Sequence, residues 1–113
     1  MSRIIEQQMI RAISNETDWQ KDNTSVEVVH NGIHGTFSYQ KEILVRLHGH
    51  LIAHIFPGDR MILSSCGWET KTTKSRLNSI LNHYNLGGIF QKDYVWYCDQ
   101  GEFEDNMEFA IRR

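Results

Sequence analysis

The sequence predicts an α+β fold with a mainly antiparallel sheet of five or more strands, on three observations. Strand-like segments follow one another in long runs with no βαβ alternation, the pattern of an antiparallel sheet rather than a doubly wound one. Two stretches, one near the N-terminus and one at about 72–85, carry the apolar spacing of helices that lie on a sheet. Turn formers separate the strands at short intervals. At 113 residues the chain is long enough for one hydrophobic core and short for two. A single domain over 1–113 is therefore expected, with a helix and linker at 1–22 leading into the sheet and second helix at 23–113.

The first helix is read from Ile5, Met9, Ala12 and Ile13, which fall on one stripe with Arg3, Gln7 and Arg11 opposite and Ser2 as cap. Polar turn formers from 14 to 24 then form a linker, in which Trp19 is expected to be pinned to the domain. "SVEVVHNGIHGTFSY" alternates and contains Asn31-Gly32, a pair suited to a type I′ hairpin turn. "EILVRLHGHLIAHIF", residues 42–56, is a second pair reversing at Gly49, with a loop of two or three residues. Pro57-Gly58 suits a type II turn into "RMILSSC", and Leu77, Ile80, Leu81 and Tyr84 mark the second helix. Asn85 to Gly88 stops that helix, a glycine being available for the left-handed position. Beyond it, short strands are joined at Lys92-Asp93 and Asp99-Gln100-Gly101.

Charge and composition exclude several classes. A formal net charge of −2 is far from the positive excess of a protein held to DNA by blanket phosphate attraction, and from the dense negative charge of a DNA mimic. No apolar run approaches the length of a membrane span, and Arg3 and Glu6 interrupt any signal-like segment, so no membrane partner is expected. Cys66 and Cys98 form no CxxC pair and are read as free thiols.

No catalytic set stands alone. His48, His50 and His54 cluster, but the chain reverses at Gly49, so His48 and His50 flank a turn and His54 lies on the sheet; neither a metal site nor a cofactor is expected. Cys66 has a cation, Lys71, and a helix start close by, which would favour a thiolate. Small apolar burial is the ordinary role of such a cysteine, and no partner for catalysis is marked out. Glu102, Glu104 and Asp105 read as a solvated face. The stretch "SSCGWETKTTKSRLN", residues 64–78, is the strongest candidate. Cys66 should end a strand, Gly67 turn the chain, and Trp68 anchor that turn against the core. Thr70, Lys71, Thr72, Thr73, Lys74, Ser75 and Arg76 then gather hydroxyls and cations at a helix start, either as anion donors or as a cap at Thr72 or Thr73 with exposed cations. Arg46 and His48 on the neighbouring hairpin extend this candidate surface.

"NTSV" at 23–26, "RLHGHLIAHI" at 46–55 and "SSCGWETKTTKSRLNSIL" at 64–81, with the "QKDYVWY" ending at 91–97, resemble a group of small proteins of tailed bacteriophages and prophages. The pattern is Asn-Thr-x-Val, Leu-His-Gly with Ile-Ala, and Gly-Trp-x-Thr-x-Thr-Thr-x-x-Arg-Leu-Asn. It spans about 23–97, without the first helix. The resemblance implies a phage origin and action in a bacterial host, and carries no activity with it. The expectation is a non-enzymatic accessory protein of the host cytoplasm that binds a host protein or defence component, in host takeover or counter-defence. The alternative is a nucleic-acid-binding domain using 70–76; pairing into a homodimer is open to either.

Overall fold

The computed structural model describes residues 2–32 and 39–111. In chain order the elements are α1 (Ser2–Asn15), β1 (Trp19–Lys21), β2 (Thr24–Gly32), β3 (Tyr39–Leu47), β4 (His50–Phe56), β5 (Arg60–Leu63), α2 (Lys71–His83), β6 (Phe90–Lys92), β7 (Val95–Cys98), β8 (Gly101–Glu102) and β9 (Met107–Ala110). The α+β class follows as the sequence predicts. β1 to β5 form an antiparallel meander, and β9 returns to pair with β5, giving a six-stranded sheet in the order β1-β2-β3-β4-β5-β9. β6, β7 and β8 form a separate three-stranded antiparallel sheet.

The core lies between the large sheet and the two helices. Strand register places Val26, Val45, Ala53 and Leu63 in one row across the sheet, and Ile43, Ile55, Met61 and Phe109 in the next. All eight are buried, together with Met9, Ala12 and Ile13 of α1 and Leu77, Ile80 and Leu81 of α2. Opposite faces of the strands carry Arg46 against Glu27, His54 against Glu42, and Arg60 over the Phe56 ring. The pairing of β3 with β4 is irregular at one point. Val45 pairs with Ala53 but Arg46 pairs with Leu51, so Ile52 is an extra residue in β4. This bulge lets Ile52 and Ala53 both face inward and sets His50 opposite Leu47 on the helix side of the sheet.

Several turns differ from the sequence reading. Asn31-Gly32 does not turn the chain: both residues lie in β2, paired with Gln40 and Tyr39, and the closing segment at 33–38 is outside the described residues. The positive φ pair of a two-residue hairpin is found instead at His48 (φ 53) and Gly49 (φ 81). Gly58 has φ 78 and Asp59 N–H donates to Phe56 O, as the type II turn requires. Asp93 and Tyr94, rather than Lys92 and Asp93, form the β6–β7 turn, since Lys92 pairs with Val95. Ser2 is the first helical residue of α1 rather than its cap. Trp19, expected in a linker, sits half-buried in β1 against the core.

Asparagine, not glycine, ends α2. Asn85 takes φ 59, its N–H donates to Asn82 O, and Leu86 N–H donates to Leu81 O, the paired bonds of a Schellman motif. Beside this end, burial and then the Glu16 carboxylate raise Tyr84 above its ordinary value of 10.0. The native state thus holds the phenolic proton more tightly than the unfolded chain does. Stability is full below the unfolded value and falls as pH climbs through the raised one. Urea midpoints measured from neutral to strongly alkaline pH should show this loss, and Tyr84→Phe should remove its part of the slope.

Candidate binding cleft at the start of the second helix

The chain leaves β5 at Leu63 and turns sharply at Ser65 to Trp68, where Trp68 N–H donates to Ser65 O at 2.9 Å. Cys66 therefore does not end a strand. It occupies the first central position of this turn with φ 55, and Gly67 the second with φ 81, so glycine's freedom is used at one site while a cysteine bears strain at the other. The surroundings hold it there. Asp105 accepts from both the N–H and the hydroxyl of Ser65 at 2.8 Å, Ser64 Oγ accepts from Cys66 N–H, and Ser65 Oγ accepts from Gly67 N–H. The Cys66 thiol donates to Leu51 O at 2.9 Å. The thiol and the two amides beside it are all engaged in building the turn.

Thr70 caps α2, two positions before Thr72 and three before Thr73, the threonines expected to do so. Its backbone is extended, and its hydroxyl oxygen accepts from Thr73 N–H at 3.1 Å. Thr70→Ala should cost about 1 kcal/mol of stability, read as a lowered urea midpoint with an unchanged slope.

The rest of the basic stretch divides into buried and exposed parts. Thr73 is buried, and Arg76, expected among the surface cations, is 2% exposed. Arg76 Nε donates to Thr24 Oγ1 at 3.1 Å and its Nη1 meets Glu6 at 3.1 Å. Ser75 donates to the same Glu6 carboxylate, and Thr24 in turn donates to Asn23 Oδ1. These residues tie α1, β2 and α2 together and offer nothing to a phosphate. Asn78 likewise holds the backbone N–H and C=O of Ile89. Arg46 lies on the opposite face of the sheet with Glu27. Of the candidate cations at the helix start, Lys71 is exposed and Lys74 half-buried.

What remains open is a cleft of about 460 Å³ lined by Leu47, His48, His50, Ile52, Ser65, Trp68, Thr70, Thr72 and Thr73. Buried Leu47 and Ile52 make an apolar floor, the latter placed there by the bulge. Trp68 stands at the mouth, 60% exposed, with its ring stacked over His50 at 6.2 Å. The expected anchoring of Trp68 in the core is thus overturned: the turn is fixed by Ser64, Ser65 and Asp105, which frees the indole. Sequence reasoning missed Trp68, His50, Leu47 and Ile52 as site residues. An available signal was that Trp68 sits between a turn glycine and a helix cap, with no apolar periodicity to bury it.

His54 points away from this cleft, to Glu42 on the other face, so the three clustered histidines do not converge. Among the described residues no three His, Cys, Asp or Glu side chains are grouped to hold a metal ion, and no helix is long and apolar enough to cross a membrane.

Against known protein families, the sequence matches Kyanoviridae Gp96 protein over residues 2–111. The chain belongs to that family. It is a phage protein, and the match takes in α1, which the resemblance at 23–97 leaves out. No curated protein and no solved structure matches it. Membership in the Gp96 family gives the setting of the cleft without assigning it a ligand.

Proposed function

We propose that this Gp96-family protein is a non-enzymatic phage accessory protein that binds a host protein in the bacterial cytoplasm, with the Trp68 cleft as the contact. The observation that supports this reading is the exposure of Trp68 over an apolar floor, while its sequence neighbours serve the fold. Thr70 caps, Thr73 is buried, Arg76 and Asn78 clamp distant segments, and Leu77 fills the core. An exposed indole beside a recess is the kind of anchor on which interface energy concentrates. The Thr70 and Thr72 hydroxyls and His48 supply a polar rim around it. Interference with a host or defence component is the role such a protein would play. Affinity capture from host lysate tests the reading: a stoichiometric host protein is expected on the wild-type bait, and repeated empty captures with folded bait would refute it.

A second reading, nucleic-acid contact, is favoured by one observation: Trp68 and Lys71, three residues apart in the chain, are both exposed, and an indole is a surface on which a base can stack. With Arg76 and Arg46 engaged elsewhere, few cations are left to hold phosphates. Titration of single-stranded and duplex probes across salt decides it. A log-log slope of about one to two would fit Lys71 and Lys74, and no binding at low salt would eliminate it.

A further inference from the structure

The small sheet has one face against the core and one face bare. Trp96 and Cys98 of β7 point inward and are buried with Phe103. On the outer face, strand register aligns Phe90, Tyr97 and Glu102 across the three strands and sets Lys92 beside Val95. Phe90 is 55% exposed, and its ring stacks with Tyr97 at 5.8 Å and 23°. Tyr94, at the turn between β6 and β7, is 90% exposed. A hollow of about 360 Å³ lies between Phe90, Lys92, Asp93 and Tyr97. Three exposed or half-exposed aromatic rings on one hairpin contribute nothing to the buried core, which Trp96 supplies from the other face.

The charge around these rings selects the occupant. From 86 to 111 the chain carries six carboxylates, Asp93, Asp99, Glu102, Glu104, Asp105 and Glu108, against the single cation Lys92. Asp105 is used by Ser65 and Glu108 faces Arg60, but Asp93, Asp99, Glu102 and Glu104 are exposed and have no ion-pair partner among the described residues. A nucleic acid would be repelled here, and two copies of the face would oppose like charges. A guanidinium satisfies both features at once, because it stacks flat on an aromatic ring and donates to a carboxylate beside it. Glu102 lies directly across from Tyr97, within the same row.

We propose that the outer face of the β6–β8 sheet docks an arginine-bearing segment of a partner protein, the guanidinium stacking on Phe90 and Tyr97 and pairing with Glu102. This surface is separate from the Trp68 cleft and does not depend on it. The test uses the full chain and a fluorescein-labelled peptide of arginines spaced by glycine and serine, with its lysine counterpart, at about 20 mM salt where exposed charges are weakly screened. Phe90→Ser removes an exposed ring without touching the core, Glu102→Gln removes the facing charge, and Asp22→Asn makes the same change in net charge at the exposed β1–β2 turn, on the edge of the other sheet. The wild type should bind the arginine peptide more tightly than the lysine peptide. Phe90→Ser should weaken it about tenfold and Glu102→Gln several-fold, with Asp22→Asn unchanged. No binding by the wild type, or equal weakening by Glu102→Gln and Asp22→Asn with none from Phe90→Ser, would overturn the assignment. Trp68→Ala should leave peptide binding intact, which separates failure here from failure of the cleft.

Discussion

Arg76→Ala is expected to destabilise the protein by about 3–5 kcal/mol, with a fall in Tm of at least about 10 °C, because it leaves a partly buried carboxylate without its cation. The loss has several components. Arg76 is 2% exposed, holds Glu6 of α1 and Thr24 of β2, and sits in the apolar stripe of α2. Arg76→Lys should recover only part of it, since an ammonium cannot present two donors in the fixed fork that reaches both partners. The paired replacement Glu6→Leu with Arg76→Met should recover more, because it removes the buried charges together. A thermal melt of the single and paired variants settles the matter. Were Arg76 instead a phosphate contact, its alanine variant would keep the wild-type Tm.

Trp68→Ala is expected to do the reverse: little change in Tm and a loss of partner affinity of at least about 2 kcal/mol, roughly thirtyfold. Its indole is 60% exposed, and the turn that carries it is held by Ser64, Ser65 and Asp105 without its help. His50→Ala should show a smaller effect of the same kind, since His50 stacks on the indole and lines the same recess. Comparison of the two variants by melting and by titration against the captured partner reads both quantities. Contact through another surface would leave the affinity of both unchanged.

These two residues also show which parts of the molecule were legible in the sequence. The meander of strands, the reversal at Gly49, the type II turn at Pro57-Gly58 and the apolar stripe of α2 are local patterns, and local patterns were sufficient for them. Arg76 is different because its partners lie in α1 and β2, far away in sequence. A cation beside Lys74 and Ser75 resembles a surface residue until Glu6 and Thr24 are brought to it. One local signal did exist: Arg76 falls three residues after Thr73 and four before Ile80, on the buried side of α2. The burial of Ile52 next to Ala53 depends on a bulge, which comes from strand pairing rather than from alternation along one strand. Asn31-Gly32 shows the limit of turn propensity, since cross-strand partners for both residues override a preferred turn pair.

The candidate surface narrowed as the fold was added. Of the nine residues from Arg46 to Arg76 that the sequence nominates, His48, Thr70, Thr72 and Thr73 line the cleft, while Arg46 and Arg76 are bound within the chain. Of the two roles that the sequence leaves open to the threonines, anion donor or helix cap, Thr70 takes the cap, and the cleft it borders gets its character from Trp68 and His50.

The most direct test of the Trp68 cleft as the contact surface is a paired affinity capture from host lysate with wild-type protein and Trp68→Ala, both checked by melting. A stoichiometric host protein is predicted on the wild type, with its loss from the variant at matched Tm. Equal recovery of that protein by both baits, or none by either, would contradict the assignment.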